Sequence, residues 1–206
     1  SLSLSLSHTH THSYSYSYSY SYTHLQHTHQ VFLSKSIDDG FTWSDPRPLP
    51  ELVLSDWKWV GLGPPAGIQL SNSRMLIPGY HTTFVKGDGE ISKSHVIVSD
   101  DLGATWRIAS ESVGDPYFTN ECQAVELGNK SVLINSRTLT PQRVQILSND
   151  AGDSFETPQI AVGLMETIEG CEGSIGRDAS TNTIYFSNPN NDALIRRNMT
   201  VFASID

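Results

Sequence analysis

The chain has 206 residues, with 13 Lys or Arg against 22 Asp or Glu and a formal net charge of −9. That acidity argues against nucleic acid or an anionic membrane as a partner, and no apolar run is long enough to be a transmembrane segment. Two cysteines, Cys122 and Cys171, are too few for a disulfide scaffold.

Residues 1–30 read as a low-complexity tail of alternating Ser-Leu, His-Thr and Ser-Tyr pairs, and six of the eight histidines fall there. The period of two imitates a strand, but no core pattern goes with it. Leu2, Leu4 and Leu6 lack the basic start and continuous apolar run of a signal peptide. Alternating histidines chelate metals adventitiously, so no physiological metal site is assigned. Residues 31–206 form the expected domain.

In that domain, Val31-Phe32-Leu33 is a predicted strand running into S-I-D-D-G-F-T-W, residues Ser36 to Trp43. Ser44 to Pro50 holds three prolines and is expected to be loop. Trp57 to Val60 precedes a glycine-rich turn, Gly61 to Gly67, that is followed by no helix pattern and so does not read as a phosphate cradle. Arg74 to His81 is a buried strand ending in a polar, aromatic loop. His95 to Val98 leads into S-D-D-L-G-A-T-W, Ser99 to Trp106. After a loop at residues 113–120, Glu121 to Leu127 and Ser131 to Arg137 are paired strands around a Gly128-Asn129 turn. Val144 to Leu147 enters S-N-D-A-G-D-S-F, Ser148 to Phe155. Glu169 to Ile175 is a loop entering a strand, Thr183 to Phe186 another strand, and Ser187 to Asp192 a turn. No helical period is long enough to matter, so the fold class is all-β.

Three segments share one template: Ser, any, Asp, any, Gly, any, Thr or Ser, aromatic. Its fixed positions are Ser36, Asp38, Gly40 and Trp43; Ser99, Asp101, Gly103 and Trp106; and Ser148, Asp150, Gly152 and Phe155. A fourth copy begins at Ser204-Ile205-Asp206. Starts lie 49 to 63 residues apart, the period of one supersecondary unit. The Asp accepts from turn amides, the Gly supplies a positive φ, the hydroxyl closes the turn, and the aromatic is expected to plug it from below. Two glycosylation sequons, at Asn129 and Asn198, lean toward a secretory or lysosomal route.

The template resembles the Asp box of sialidases (neuraminidases), a structural turn away from the active site. Further pieces occur in the order seen in animal-type exo-α-sialidases: G-P-P-A-G-I-Q-L, L-I-P-G-Y, N-E-C-Q-A-V-E-L, V-L-I-N-S-R, E-G-C-E-G-S-I, then F-S-N-P and R-R-N-M-T. The resemblance covers Val31 to Asp206 and implies part of a six-bladed β-propeller, about three blades at the box spacing. It implies a retaining hydrolase that releases terminal sialic acid from glycoproteins, oligosaccharides or gangliosides, with no cofactor and no catalytic metal. The family binds the substrate carboxylate with three arginines and uses a Tyr nucleophile activated by a Glu, together with an Asp acid/base. Guanidinium suits a carboxylate because it is planar, permanently charged and bidentate.

Carried over by position, Arg137 matches the second arginine of that triad. Arg196 matches the third, with Arg197 competing, and Glu121 matches the Glu that takes the phenolic proton. Tyr80 resembles a tyrosine lining the sugar's N-acyl and glycerol side, and Glu172 stands where the family often has Gln. The first arginine, the acid/base Asp and the Tyr nucleophile have no assigned counterpart. The expectation is therefore the middle of a sialidase, inactive by itself. The competing class is a non-catalytic, sialic-acid-binding or structural Asp-box propeller.

Overall fold

Short runs rich in β-branched and aliphatic residues, each closed by Gly, Asn or Asp turns, fold as antiparallel sheets taken in sequence order. The computed structural model describes residues 29–64 and 66–204, so the expectations for residues 1–28, Pro65, Ile205 and Asp206 lie outside the described residues. Among those described there is no α-helix. Strands β1 (Phe32–Leu33) and β2 (Arg47–Pro48) make a two-stranded sheet. The second sheet holds β3 (Trp57–Leu62), β4 (Ile68–Gln69), β5 (Met75–Val85), β6 (Gly89–Ser99) and β7 (Arg107–Val113). The third holds β8 (Cys122–Glu126), β9 (Val132–Ser136), β10 (Gln142–Ser148) and β11 (Gln159–Met165). The fourth holds β12 (Ser174–Arg177), β13 (Ile184–Pro189) and β14 (Met199–Ser204).

Most elements expected from the sequence are present; several run longer than expected, while β1, β8 and β9 are shorter by one or two residues. β5 does not end in a loop at His81 but continues to Val85, pairing β6 along its whole length. The expected proline loop contributes two residues to an edge strand, and Pro50 opens a 3-10 turn at Pro50–Leu52. Proline is tolerated at an edge and at a first helical position because neither needs its amide. The expected turn at Ser187 begins later, since β13 runs to Pro189. β7, β11 and β14 were not expected. In β14 Phe202 packs on the Phe186 core while the apolar Met199 and Val201 on the other face are exposed, at 70% and 71%, so its apolar residues fall on both faces.

Sheets meet face to face. Leu76, Val96 and Val98 of the second sheet pack on Ala124, Ile134, Val144 and Ile146 of the third. Val125 of the third packs with Ile175 and Phe186 of the fourth. Polar stitches run across the same faces: Ser94 Oγ lies 2.9 Å from Ser136 Oγ, and Gln123 Oε1 accepts from the Ile175 amide at 2.8 Å.

The three boxes share one hydrogen-bond pattern. In the second, Asp101 accepts from the Thr105 amide at 2.8 Å and its hydroxyl at 2.6 Å, and the Gly103 amide donates to Ser99 Oγ at 2.8 Å. Asp38 and Asp150 make the same pair of contacts with Thr42 and Ser154. Gly40, Gly103 and Gly152 have φ of +90°, +88° and +93°. The indoles do more than fill space, because Trp43 and Trp106 each donate Nε1–H to the box glycine carbonyl. As plugs they differ: Trp106 is 5% exposed in its core, but Trp43 is 39% exposed beside a sheet of only two strands. Boxes two and three are tied by ions, with Arg74 and Arg107 each bridging Asp100 and Asp153.

Hydrogen bonds from the Thr105 hydroxyl and amide hold the Asp101 carboxyl at about 2, below its ordinary 3.8. The group is depressed in the fold, so its contribution is complete above the ordinary value and is lost as pH falls through the folded one. Asp101→Ala is expected to lower the melting temperature at neutral pH, and the gap from wild type to close as pH drops from about 4 to about 2. Circular dichroism melts across that range check it, and an unchanged melting temperature at neutral pH contradicts it.

Candidate functional site

The site starts from a register. Cys122 of β8 faces Ser136 of β9, so the next residues outward, Glu121 and Arg137, face each other past the end of the ladder. The Arg137 amide donates to the Glu121 carbonyl at 2.9 Å, and Arg137 Nη1 donates to Glu121 Oε2 at 2.6 Å. Both side chains are about one-fifth exposed, 21% and 20%, open enough for a ligand to reach them.

A loop over residues 166–173 supplies the other wall. The Glu169 carbonyl accepts from Arg137 Nη2 at 2.6 Å, and the Gly170 carbonyl lies 3.5 Å from Arg196 Nη2. Position 170 requires glycine twice over. Its φ is +75°, and an added Cβ would stand 2.5 Å from Arg137 Nε and 2.8 Å from the Thr138 carbonyl.

Glu121, Arg137, Glu172 and Arg196 line one cavity of about 330 Å³. Two guanidinium groups and two carboxylates thus converge from four separate segments. Burial raises the Glu172 carboxyl above its ordinary value and the charge of Glu121 adds to this, while Arg143 opposes. A guanidinium carries more donors than the two bonds Arg137 makes here, so donors remain for a ligand carboxylate. Arg197 is not among the lining residues. Nor is Tyr80, whose ring lies over Gly61, where an added Cβ would be 2.7 Å from it. A second cavity of about 310 Å³ shares Arg137 and is lined by Glu90, Ile91 and Ser92 with Phe118 and Asn120.

No box residue lines either cavity. Ser148, which opens the third box, faces Val132 at the far end of β9 from Arg137. Five strand residues at about 3.4 Å each separate them by roughly 17 Å.

Two buried groups escape a reading of the sequence. Arg143 and Glu166 form a fully buried ion pair at 2.8 Å, and Arg143 gives no sequence signal beyond being one more Arg in a strand. His81 and His95 form the other, with Nδ1 atoms 3.3 Å apart and Trp57 stacked 3.9 Å from His81. Burial holds His81 at about 4 and His95 at about 3, so both are neutral. Their signal was available: they are the two histidines beyond the tail, and each sits in a predicted strand. Burial also pushes the Cys122 thiol up to about 12, which makes it inert. Among the described residues no group of three or more potential ligands can hold a metal ion, and no helix is long and apolar enough to cross a membrane.

Comparison with known proteins follows the same lines. Residues 5–206 match the BNR repeat-like domain. Sialidase-3 of Bos taurus is 34% identical over 155 residues, which is 68% of this chain and 36% of the bovine protein. Sialidase-4 of Homo sapiens is 34% identical over 154 residues, 68% of this chain and 31% of that protein. The chain thus spans about a third of the length of these relatives. Among solved structures, a leech intramolecular trans-sialidase complexed with 2,7-anhydro-Neu5Ac superposes with a TM-score of 0.73 at 22% identity, over 85% of this chain and 26% of that one. An intramolecular trans-sialidase from Ruminococcus gnavus gives 0.73 at 23% identity, over 85% and 36%. These likenesses establish the sialidase β-propeller fold, present here as open sheets.

Gly170→Ala is expected to push the Arg137 guanidinium away from Glu121, because the new methyl group occupies the space of Nε. Brief phenylglyoxal treatment followed by mass spectrometry should show faster modification of Arg137 in the variant. An unchanged rate would mean that the loop does not hold this arginine.

Proposed function

The chain belongs to the BNR repeat-like domain family, and on that premise we propose that it carries the carboxylate-binding side of an exo-α-sialidase site. The substrates are terminal sialic acids on glycoproteins, oligosaccharides and gangliosides. The observation that carries this is the convergence of Arg137 and Arg196 on one cavity, with Glu121 bonded to the first.

The chemistry follows from charge. A sialic acid is an anion at neutral pH, and paired guanidinium groups bind its carboxylate by charge-assisted hydrogen bonds, about twice as strong as neutral ones. An anionic nucleophile would be repelled by that carboxylate. The family's scheme departs from the usual pair of carboxylates and uses a phenol, with a glutamate to take its proton. Glu121 is the residue in place for that role, its charge balanced by Arg137 until substrate competes for the guanidinium. Glu172, raised by burial and by Glu121, lines the same cavity, where its carboxyl is placed to accept from a sugar hydroxyl or amide N–H. No residue of this chain is assigned as nucleophile or acid/base. The residues assigned here therefore act in binding the substrate.

The test is saturation-transfer NMR on the whole chain, with an α-methyl sialoside and its carboxyl methyl ester as probes. Wild type is expected to bind the acid and not the ester. Arg137→Ala is expected to weaken binding by about tenfold or more, the cost of one charged hydrogen-bonding group. Equal binding of acid and ester, or full binding by Arg137→Ala, would overturn the proposal.

A further inference from the structure

Behind the cavity lies an arginine that no ligand can reach. Arg143 of β10 is fully buried, as is its partner Glu166, and Arg143 Nη1 meets Glu166 Oε2 at 2.8 Å. The same Nη1 donates to the Cys171 carbonyl at 2.7 Å, and Nε donates to Asn135 Oδ1. The Phe186 ring centroid lies 5.1 Å from Cζ. The second oxygen of Glu166 accepts from the Cys171 amide at 2.9 Å. Both backbone polar groups of one loop residue are therefore held by the two members of one ion pair.

Stability alone is a poor reason for such a pair. Burying two charges costs desolvation, and apolar side chains of similar volume often serve a core equally well. What they cannot do is hold one residue by both its backbone N–H and its backbone C=O. The position of Cys171 explains the arrangement, because its neighbours build the site. On one side the carbonyls of Glu169 and Gly170 face Arg137 and Arg196. On the other, Glu172 lines the cavity. Gly173 then lies flat on the pair, where an added Cβ would be 3.1 Å from Arg143 Cζ and 2.6 Å from Phe186 Cζ.

We propose that Arg143 and Glu166 are positioning residues that clamp Cys171 and thereby set the spacing of Arg137 and Arg196 for the substrate carboxylate. The inference rests on the cavity being a sialic acid carboxylate site. Arg143 touches no substrate; it acts through the loop, and the selectivity of binding is the property it controls.

The decisive variant is Arg143→Met with Glu166→Met, which removes both charges and leaves neither unpaired. The expected result on the whole chain is a folded protein whose melting temperature falls because the Cys171 and Asn135 groups lose their partners. It should bind α-methyl sialoside about tenfold or more weakly, as when a group that orients a ligand from behind is lost. Selectivity against the methyl ester should fall with it. Wild-type affinity and selectivity in a folded double variant would overturn the clamp. Should that variant not fold, Arg143→Lys decides in the same way, since one ammonium keeps the charge but not the fixed fork of donors. Hydrogen exchange on the unmodified chain gives an answer independent of any variant. A Cys171 amide protected with the β9 and β10 amides supports the clamp, and exchange at the rate of exposed loop amides overturns it. If wild type itself does not prefer the acid to the ester, the site assignment falls and takes this inference with it. Selective wild type with equally selective clamp variants sinks the clamp alone.

Discussion

The pairing of β8 with β9 fixes everything the site does. Side chains alternate between faces along a strand, so a slip of one residue would turn Glu121 or Arg137 to the other side. The observed register puts them opposite each other at the ladder's open end, 2.6 Å apart through Nη1 and Oε2. The register is held from both faces. Ala124 and Ile134 pack toward the second sheet, and Val125 packs toward the fourth. A charged pair on a frame packed from both sides has little freedom to reorient, and preorganised donors of this kind are what anion recognition requires.

Stability and the proposed recognition occupy opposite ends of the same strands. The boxes close the turns at one end with carboxylates, hydroxyls and glycines, and the Arg74, Asp100, Arg107 and Asp153 network ties two of them across sheets. At the other end, loops carry the charged groups of the cavity. Within the interior lie the neutral pair of His81 and His95, packed against Trp57, and the inert Cys122. Changes at a box should therefore act on folding, and changes in loop 166–173 on binding.

Much of this was legible in the residues. The box template depends on local hydrogen bonds within eight positions, so its turn geometry could be read directly, apart from the indole bond to the glycine carbonyl. Glu121 and Arg137 flank a hairpin whose turn and alternation are clear, but their roles came from family likeness. Glu172 and Arg196 were placed by family likeness, and the fold brings them to the same cavity. Arg196 rather than Arg197 lines it, a distinction that depends on how the 190–198 segment turns and not on any local pattern. Tyr80 illustrates the reverse case, since its ring covers Gly61 across the strand pair, a contact set by the register of β3 on β5. Arg143 and Glu166 were illegible for a physical reason. Their pairing joins residues from a strand and a distant loop, and a buried ion pair has the same composition as an exposed one until the fold closes around it.

The central claim is that Arg137 and Arg196 bind one carboxylate together. Titrating the chain, labelled with nitrogen-15 in its arginine side chains, with α-methyl sialoside measures this directly. The account predicts that the Nε–Hε signals of Arg137 and Arg196 shift together along one binding curve, while those of Arg74 and Arg107 at the box rim stay still. Shifts confined to the rim arginines, or none at Arg137 and Arg196 while the ligand binds, would contradict it.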